Sequence, residues 1–120
     1  MTRLLVADDS ETVLLMLQRR LEAAGYEVET ATDGIEVVDA IESGSNGGPD
    51  LILLDAMMPR LSGVDALQKL RESGCEIPVL IISAHLDAQH PERMTAIGAN
   101  GVVPKPFEWD DLIARIEELS

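Results

Sequence analysis

Three stretches of the chain are apolar without alternation: LLVA at 4–7, LILL at 51–54 and VLII at 79–82. An unbroken aliphatic run of this length is the pattern of a strand covered on both faces, so these predict three central strands of a parallel sheet. YEVETA at 26–31 alternates and puts Glu27 and Glu29 on one side, while VVPK at 102–105 carries a proline that a central strand would not accommodate. Both are expected at sheet edges.

Helical spacing fills the intervals. Val13, Leu14, Leu17 and Leu21 repeat on one face and stop at Gly25, which suits the left-handed position after a helix. Ile35, Val38 and Ile41 follow TDG, and SGSNGGPD after them is turn chemistry. Ser62 is placed to cap a helix holding Val64, Leu67 and Leu70, and Leu112, Ile113, Ile116 and Leu119 form a last apolar face. Pro91 falls inside LDAQHPERMTAIG; proline is tolerated at a first helical position, so a short helix starting there, with His90 as its cap, is expected. Strand alternating with helix five times predicts a single α/β domain over 1–120. The expected fold is a flavodoxin-like doubly wound (βα)5 fold, with a parallel sheet in the order 2-1-3-4-5 and helices on both faces.

Composition narrows the function classes. The net charge of −13 opposes direct binding to a nucleic-acid backbone, and one Trp, one Tyr and one Phe give little for base stacking. No apolar run approaches the roughly 20 residues of a membrane-spanning helix, and MTRLLVADDS turns acidic before a signal-peptide core could form, so a cytoplasmic protein is expected. Cys75 is the only cysteine, which excludes an intrachain disulfide and soft-metal ligation by a Cys/His cluster. It is read as a small residue of the SGCE turn.

In this fold, ligands bind beyond the carboxyl ends of the strands where strand order reverses, between the first and third. Asp8 and Asp9 follow the first strand, Asp55 the third, Ser83 the fourth and Lys105 the fifth. Taken singly, Asp8 and Asp9 also suit helix capping, Asp55 a turn, Ser83 a strand end and Lys105 a surface cation. Together they converge on one rim. Two unit charges about 4 Å apart interact by about 4 kcal/mol at an effective dielectric near 20, so three carboxylates there require positive charge. Lys105 supplies one, and oxygen-only ligands favour Mg2+ for the rest. A cation, a lysine, a hydroxyl and a nucleophilic carboxylate are the parts of phosphoryl transfer to an acyl phosphate.

VADDS, LILLDAMMP with Gly63 beyond it, LIISA and KPF resemble, in order and spacing, the receiver domain of two-component response regulators, and the likeness covers essentially the whole chain. The resemblance implies that Asp55 accepts a phosphoryl group from a histidine kinase or phosphotransfer protein, in a Mg2+-dependent reaction that the protein performs only on itself, with slow autodephosphorylation. It implies Asp9, Asp55 and the Met57 carbonyl as direct Mg2+ ligands, Asp8 acting through water, Ser83 and Lys105 on the phosphoryl oxygens, and a cis Lys105–Pro106 bond. An output domain or downstream protein, and a homodimer on phosphorylation, are further implied partners.

The chain departs from the family at Val102, where receivers usually carry an aromatic whose rotamer reports phosphorylation; valine is small and stiff at χ1. The switch is then expected to pass through Ser83 and the loop after it to the helix near Pro91, with phosphate-dependent amide exchange over 84–97. Met57 and His85, two residues past Asp55 and Ser83, are candidates for setting the lifetime of the acyl phosphate, against ordinary loop packing. Trp109 is read as a packing residue. Two other classes stay in view: a phosphate-independent interaction module, and an aspartyl-phosphate phosphohydrolase, which would need a second acid where Met57 stands. A flavin or nucleotide site lacks its glycine-rich loop.

Overall fold

The fold is known from a computed structural model, which describes residues 2–44, 48–83 and 91–119. Ten elements alternate along it: β1 (Arg3–Ala7), α1 (Glu11–Ala23), β2 (Glu27–Ala31), α2 (Gly34–Glu42), β3 (Leu51–Asp55), α3 (Gly63–Glu72), β4 (Val79–Ser83), α4 (Pro91–Ala96), β5 (Gly101–Pro104) and α5 (Trp109–Leu119). The five strands are parallel in the order β2-β1-β3-β4-β5. All three predicted central strands and both edges hold these places. α4 starts at Pro91 as expected; His90 lies outside the described residues.

Period two along the strands divides the core into two layers. Leu5, Ile52, Leu54, Val79 and Ile81 meet Val37 of α2, Leu67 and Leu70 of α3 and Met94 of α4. Leu4, Val6, Leu51, Leu53, Leu80 and Ile82 meet Leu14, Leu17 and Leu21 of α1 and Leu112 and Ile116 of α5. β3 and β4 are buried at every residue, which is why their sequences show no alternation. Each fully buried Leu or Ile contributes about 1.5–3 kcal/mol of transfer free energy, so these two strands form a rigid base for whatever they carry at their ends. Trp109 packs against the α1/α5 layer, with the Arg20 guanidinium 5.4 Å from its ring centroid.

In α2 one expected inward position departs. Val38 and Ile41 pack against the core beside the buried Gly34 and Val37, whereas Ile35 is 38% exposed. In GIEVVDAIE apolar residues occur on most sides, so periodicity alone does not fix which side faces inward. The deciding contact is tertiary: the Gly34 amide donates to the Leu61 carbonyl (2.9 Å), and a Cβ on Gly34 would lie 2.9 Å from the carbonyl carbon of Leu61.

At the amino ends of β4 and β5, Arg71 from the last turn of α3 joins three segments. Its Nε and Nη2 donate to the Gly98 carbonyl (3.1 and 2.9 Å), Nη1 to the Cys75 carbonyl (2.8 Å) and Nη2 to Asn100 Oδ1 (3.2 Å). Asn100 Oδ1 also accepts the Val79 amide (3.0 Å). Gly98 has φ +108, and a Cβ there would sit 2.7 Å from Arg71 Cγ, so the guanidinium's place depends on a glycine. Cys75 is a half-buried free thiol just after α3.

At the sheet's margins, Glu27 and Glu29 of β2 are exposed, as is Pro104 of β5. No helix among the described residues is long and apolar enough to cross a membrane.

Candidate functional site

Parallel register assembles the rim. Ala7 pairs with Leu54, so Asp8 comes level with Asp55; Asp55 pairs with Ile82, and Ser83 with Pro104, which brings Lys105 one step beyond. The Lys105 amide donates to the Ser83 carbonyl (2.9 Å), extending the β4–β5 pairing up to that lysine, and the Lys105–Pro106 bond is cis.

The competing reading of Asp8 and Asp9 as helix caps does not hold. Ser10 is the N-cap of α1, its hydroxyl accepting the Val13 amide (3.3 Å), and Asp8 Oδ1 supports that cap by accepting the Ser10 amide (2.9 Å). Asp8 Oδ2 is left for Lys105 Nζ at 3.2 Å, and the same ammonium reaches Asp55 Oδ2 at 3.1 Å. One carboxylate oxygen from each of Asp8, Asp9 and Asp55 lies within 4.8 Å of the others; Asp8 and Asp55 are buried and Asp9 is exposed. All donors in this set are hard carboxylate oxygens, which fits a divalent cation such as Mg2+.

Electrostatics at Asp55 are opposed. Burial, with only 6% of the residue exposed, pushes its pKa up, and the Asp8 charge adds to this; the Met57 amide on Oδ1 (3.2 Å) and Lys105 act in the other direction, and the net shift is upward. For Lys105, burial disfavours the ammonium, but the hydrogen bond and charge of Asp55 and those of Asp8 outweigh it and raise the pKa. The two carboxylates thus favour the charged ammonium of Lys105, whereas Lys105 only partly offsets the burial that disfavours the Asp55 anion.

Asp55 is also fixed from behind. Gly63, the first residue of α3, donates its amide to the Ala56 carbonyl (3.1 Å), and a Cβ on Gly63 would collide with the Asp55 carbonyl oxygen. Ser62 caps α3 through the Asp65 amide (3.1 Å), as expected from sequence. Helix α3 thus begins in van der Waals contact with the backbone of Asp55, which only glycine permits.

The other predicted positions divide. Ser83 is buried at the end of β4. Val102 is half-buried in β5, packed against the α2–α4 core layer and opposite Ile81. Met57 stands beside Asp55 with 60% of its surface exposed, so it packs against little. His85 and the rest of 84–90 lie outside the described residues.

Sequence reasoning missed Asp33 and Arg60. Asp33 is buried at the N-cap of α2, with Oδ1 accepting the Glu36 amide (2.9 Å) and Oδ2 accepting Arg60 Nε (2.8 Å). The Glu36 amide, helped by Arg60 and opposed by burial, holds this carboxylate below its usual range. Arg60 has φ +63, a left-handed conformation uncommon for a residue with a Cβ. The N-cap had a signal in TDG ahead of an apolar face; the partner 27 residues away had none.

Comparison with known proteins agrees with this geometry. The family model "Response regulator receiver domain" matches residues 4–117. Response regulator MprA of Mycobacterium sp. (strain KMS) is 39% identical over 117 residues, covering 98% of this chain and 50% of that protein. The chain therefore spans about half the length of the curated relatives it matches. The Francisella response regulator 1452 receiver domain superposes with a TM-score of 0.91 at 31% identity, covering 99% of this chain and 96% of the other. TrrA of Thermotoga maritima, a response regulator solved in complex with Mg2+-BeF, gives 0.87 at 28% identity, with each chain fully covered. With strand order, acidic rim and family model in agreement, this chain belongs to the response regulator receiver domains.

Proposed function

We propose that Asp55 is the phosphoacceptor of a two-component phosphorelay. The observation that carries this reading is the bridging ammonium of Lys105, 3.1 Å from Asp55 and 3.2 Å from Asp8, at a cluster of three carboxylates gathered within 4.8 Å. A carboxylate oxygen of Asp55 attacks the phosphorus of a phosphohistidine on a kinase or phosphotransfer protein; the N–P bond breaks and the electron pair leaves with the imidazole. Lys105 meets the phosphoryl group as a point charge beside the accepting oxygen, and the buried Ser83 hydroxyl is the hydrogen-bond donor to it. Asp9, Asp55 and the Met57 carbonyl would hold Mg2+, with Asp8 through water; the bound ion supplies charge neutralisation for the incoming phosphoryl oxygens.

The protein is then a switch acting only on itself. A phosphohydrolase of similar fold would need a second acid two residues beyond the nucleophile, and Met57 occupies that position. The domain acts as one unit over 1–120, and its output passes to a further domain or a separate partner, or through a phosphorylation-dependent homodimer. Its charge of −13 leaves no basis for this domain to hold nucleic acid directly.

Incubation with Mg2+ and acetyl phosphate tests the central claim. Intact-mass measurement should show one added phosphoryl equivalent in the parent and none in Asp55→Asn. A parent that gains nothing, or a variant that gains as much, overturns the reading.

A further inference from the structure

The loop from Ala56 to Ser62 joins Asp55 to α3 and carries the Met57 backbone, whose amide already binds Asp55. It is anchored at its start, where the Ala56 amide donates to the Ile82 carbonyl (3.0 Å) and the Gly63 amide returns to Ala56 (3.1 Å). Its tip is held elsewhere. Arg60 reaches Asp33 across 27 residues of sequence, and the adjacent Leu61 carbonyl accepts the Gly34 amide (2.9 Å). Only Met57, Met58 and Pro59 lie between these anchors.

We infer that the Asp33–Arg60 ion pair is a latch that positions the Met57 backbone for divalent-cation binding beside Asp55, so that Asp33 and Arg60 are positioning residues of the acceptor site. This rests on the functional reading given above. A surface ion pair ordinarily has little effect, because both partners are solvated and mobile. Here Arg60 keeps 59% of its side chain exposed, but Asp33 has only 7%, and each of its oxygens is engaged, one by the α2 cap and the other by Arg60. Arg60 also holds a left-handed backbone that an unconstrained arginine rarely adopts. The pair therefore fixes both the place and the backbone conformation of the tip, three residues from Met57. Supporting groups of this kind control how well a cation's ligands are presented.

Two variants separate positioning from folding. Asp33→Asn keeps an oxygen for the Glu36 amide but loses the carboxylate facing Arg60, and Arg60→Gly suits the left-handed backbone while removing the guanidinium. Titration with Mg2+ alone, by calorimetry, is expected to show the dissociation constant raised about tenfold in each single variant. The double variant should be no worse than either, since both singles break one contact. With acetyl phosphate, half-saturating Mg2+ should rise in parallel, while the phosphorylation rate at saturating Mg2+ stays near the parent's and the thermal midpoint falls only slightly, with cooperative unfolding kept. Dissociation constants within about twofold of the parent in both variants, or singles whose effects simply add, overturn the latch and leave the functional reading standing. A parent that binds no Mg2+ overturns both.

Discussion

At the carboxyl ends of the strands three acids cluster and two of them share one lysine; at the amino ends one arginine is surrounded by acceptors. Arg71 spends its donors on two carbonyls and an amide oxygen, and the glycine it requires is present at 98. That end is satisfied and holds α3, β4 and the turn after α4 together. Around Asp55 the reverse holds: burial and the Asp8 charge work against its ionised form, and Lys105 offsets this only in part. The same sheet thus has one end optimised for stability and another held in electrostatic tension, which a cation can relieve. Uncompensated charge at one end is tolerable because the buried strands and the Arg71 junction hold the frame.

Four substitutions should break or sharpen this contrast. The largest effect is expected at Gly63→Ala, where an added Cβ meets the Asp55 carbonyl with only backbone around it. Overpacking against a rigid element costs about 3 kcal/mol, measurable by urea unfolding, and the acceptor should lose activity with stability as α3 is pushed away. Second, Arg71→Met removes the donors serving Gly98, Cys75 and Asn100, and should cost about 2–3 kcal/mol in the same experiment while leaving one-equivalent phosphorylation intact.

Third, and with the opposite sign, Asp55→Asn should stabilise the fold. Because folding raises the Asp55 pKa, the native state binds the proton more tightly than the unfolded chain. Stability therefore falls as pH rises from the ordinary carboxylate range through the raised pKa, and the penalty is fully present above it. The thermal midpoint of Asp55→Asn should exceed the parent's at pH 7, with the difference shrinking in acid; a variant less stable than the parent at pH 7 would contradict the tension described here. The smallest effect belongs to Arg20→Ala, which removes a cation–π contact 5.4 Å from the Trp109 centroid. About 0.5–1 kcal/mol of stability and a shift in tryptophan emission are expected.

Much of the fold was legible because burial on both faces leaves a plain mark: LLVA, LILL and VLII could hardly be anything but central strands. The gathering of Asp8, Asp9, Asp55 and Lys105 on one rim was equally legible, since parallel register carries strand-end residues to one edge whatever the helices do. What escaped was set by contacts between distant segments. In α2 the spacing placed Val38 and Ile41 correctly against the core, but Ile35 faces outward where Gly34 is pressed against Leu61. Asp33 and Arg60 meet through a left-handed arginine that no local rule anticipates. The work of Arg71 is invisible in sequence for the same reason: its acceptors are mostly main-chain carbonyls, and any residue has one.

The two outer strands have a consequence for association. On β5 the Lys105 amide points inward to Ser83, so by alternation the nitrogen of residue 104 faces the open margin, and proline leaves it without a donor. On β2 a second copy adding alongside would bring Glu27 and Glu29 toward their counterparts. An open sheet in a concentrated solution is a template for fibrous growth, and both ends of this template are blunted, one by a missing hydrogen and the other by like charge. Copies of this chain that meet should do so through helices, where contacts form and release without the ratchet of strand pairing.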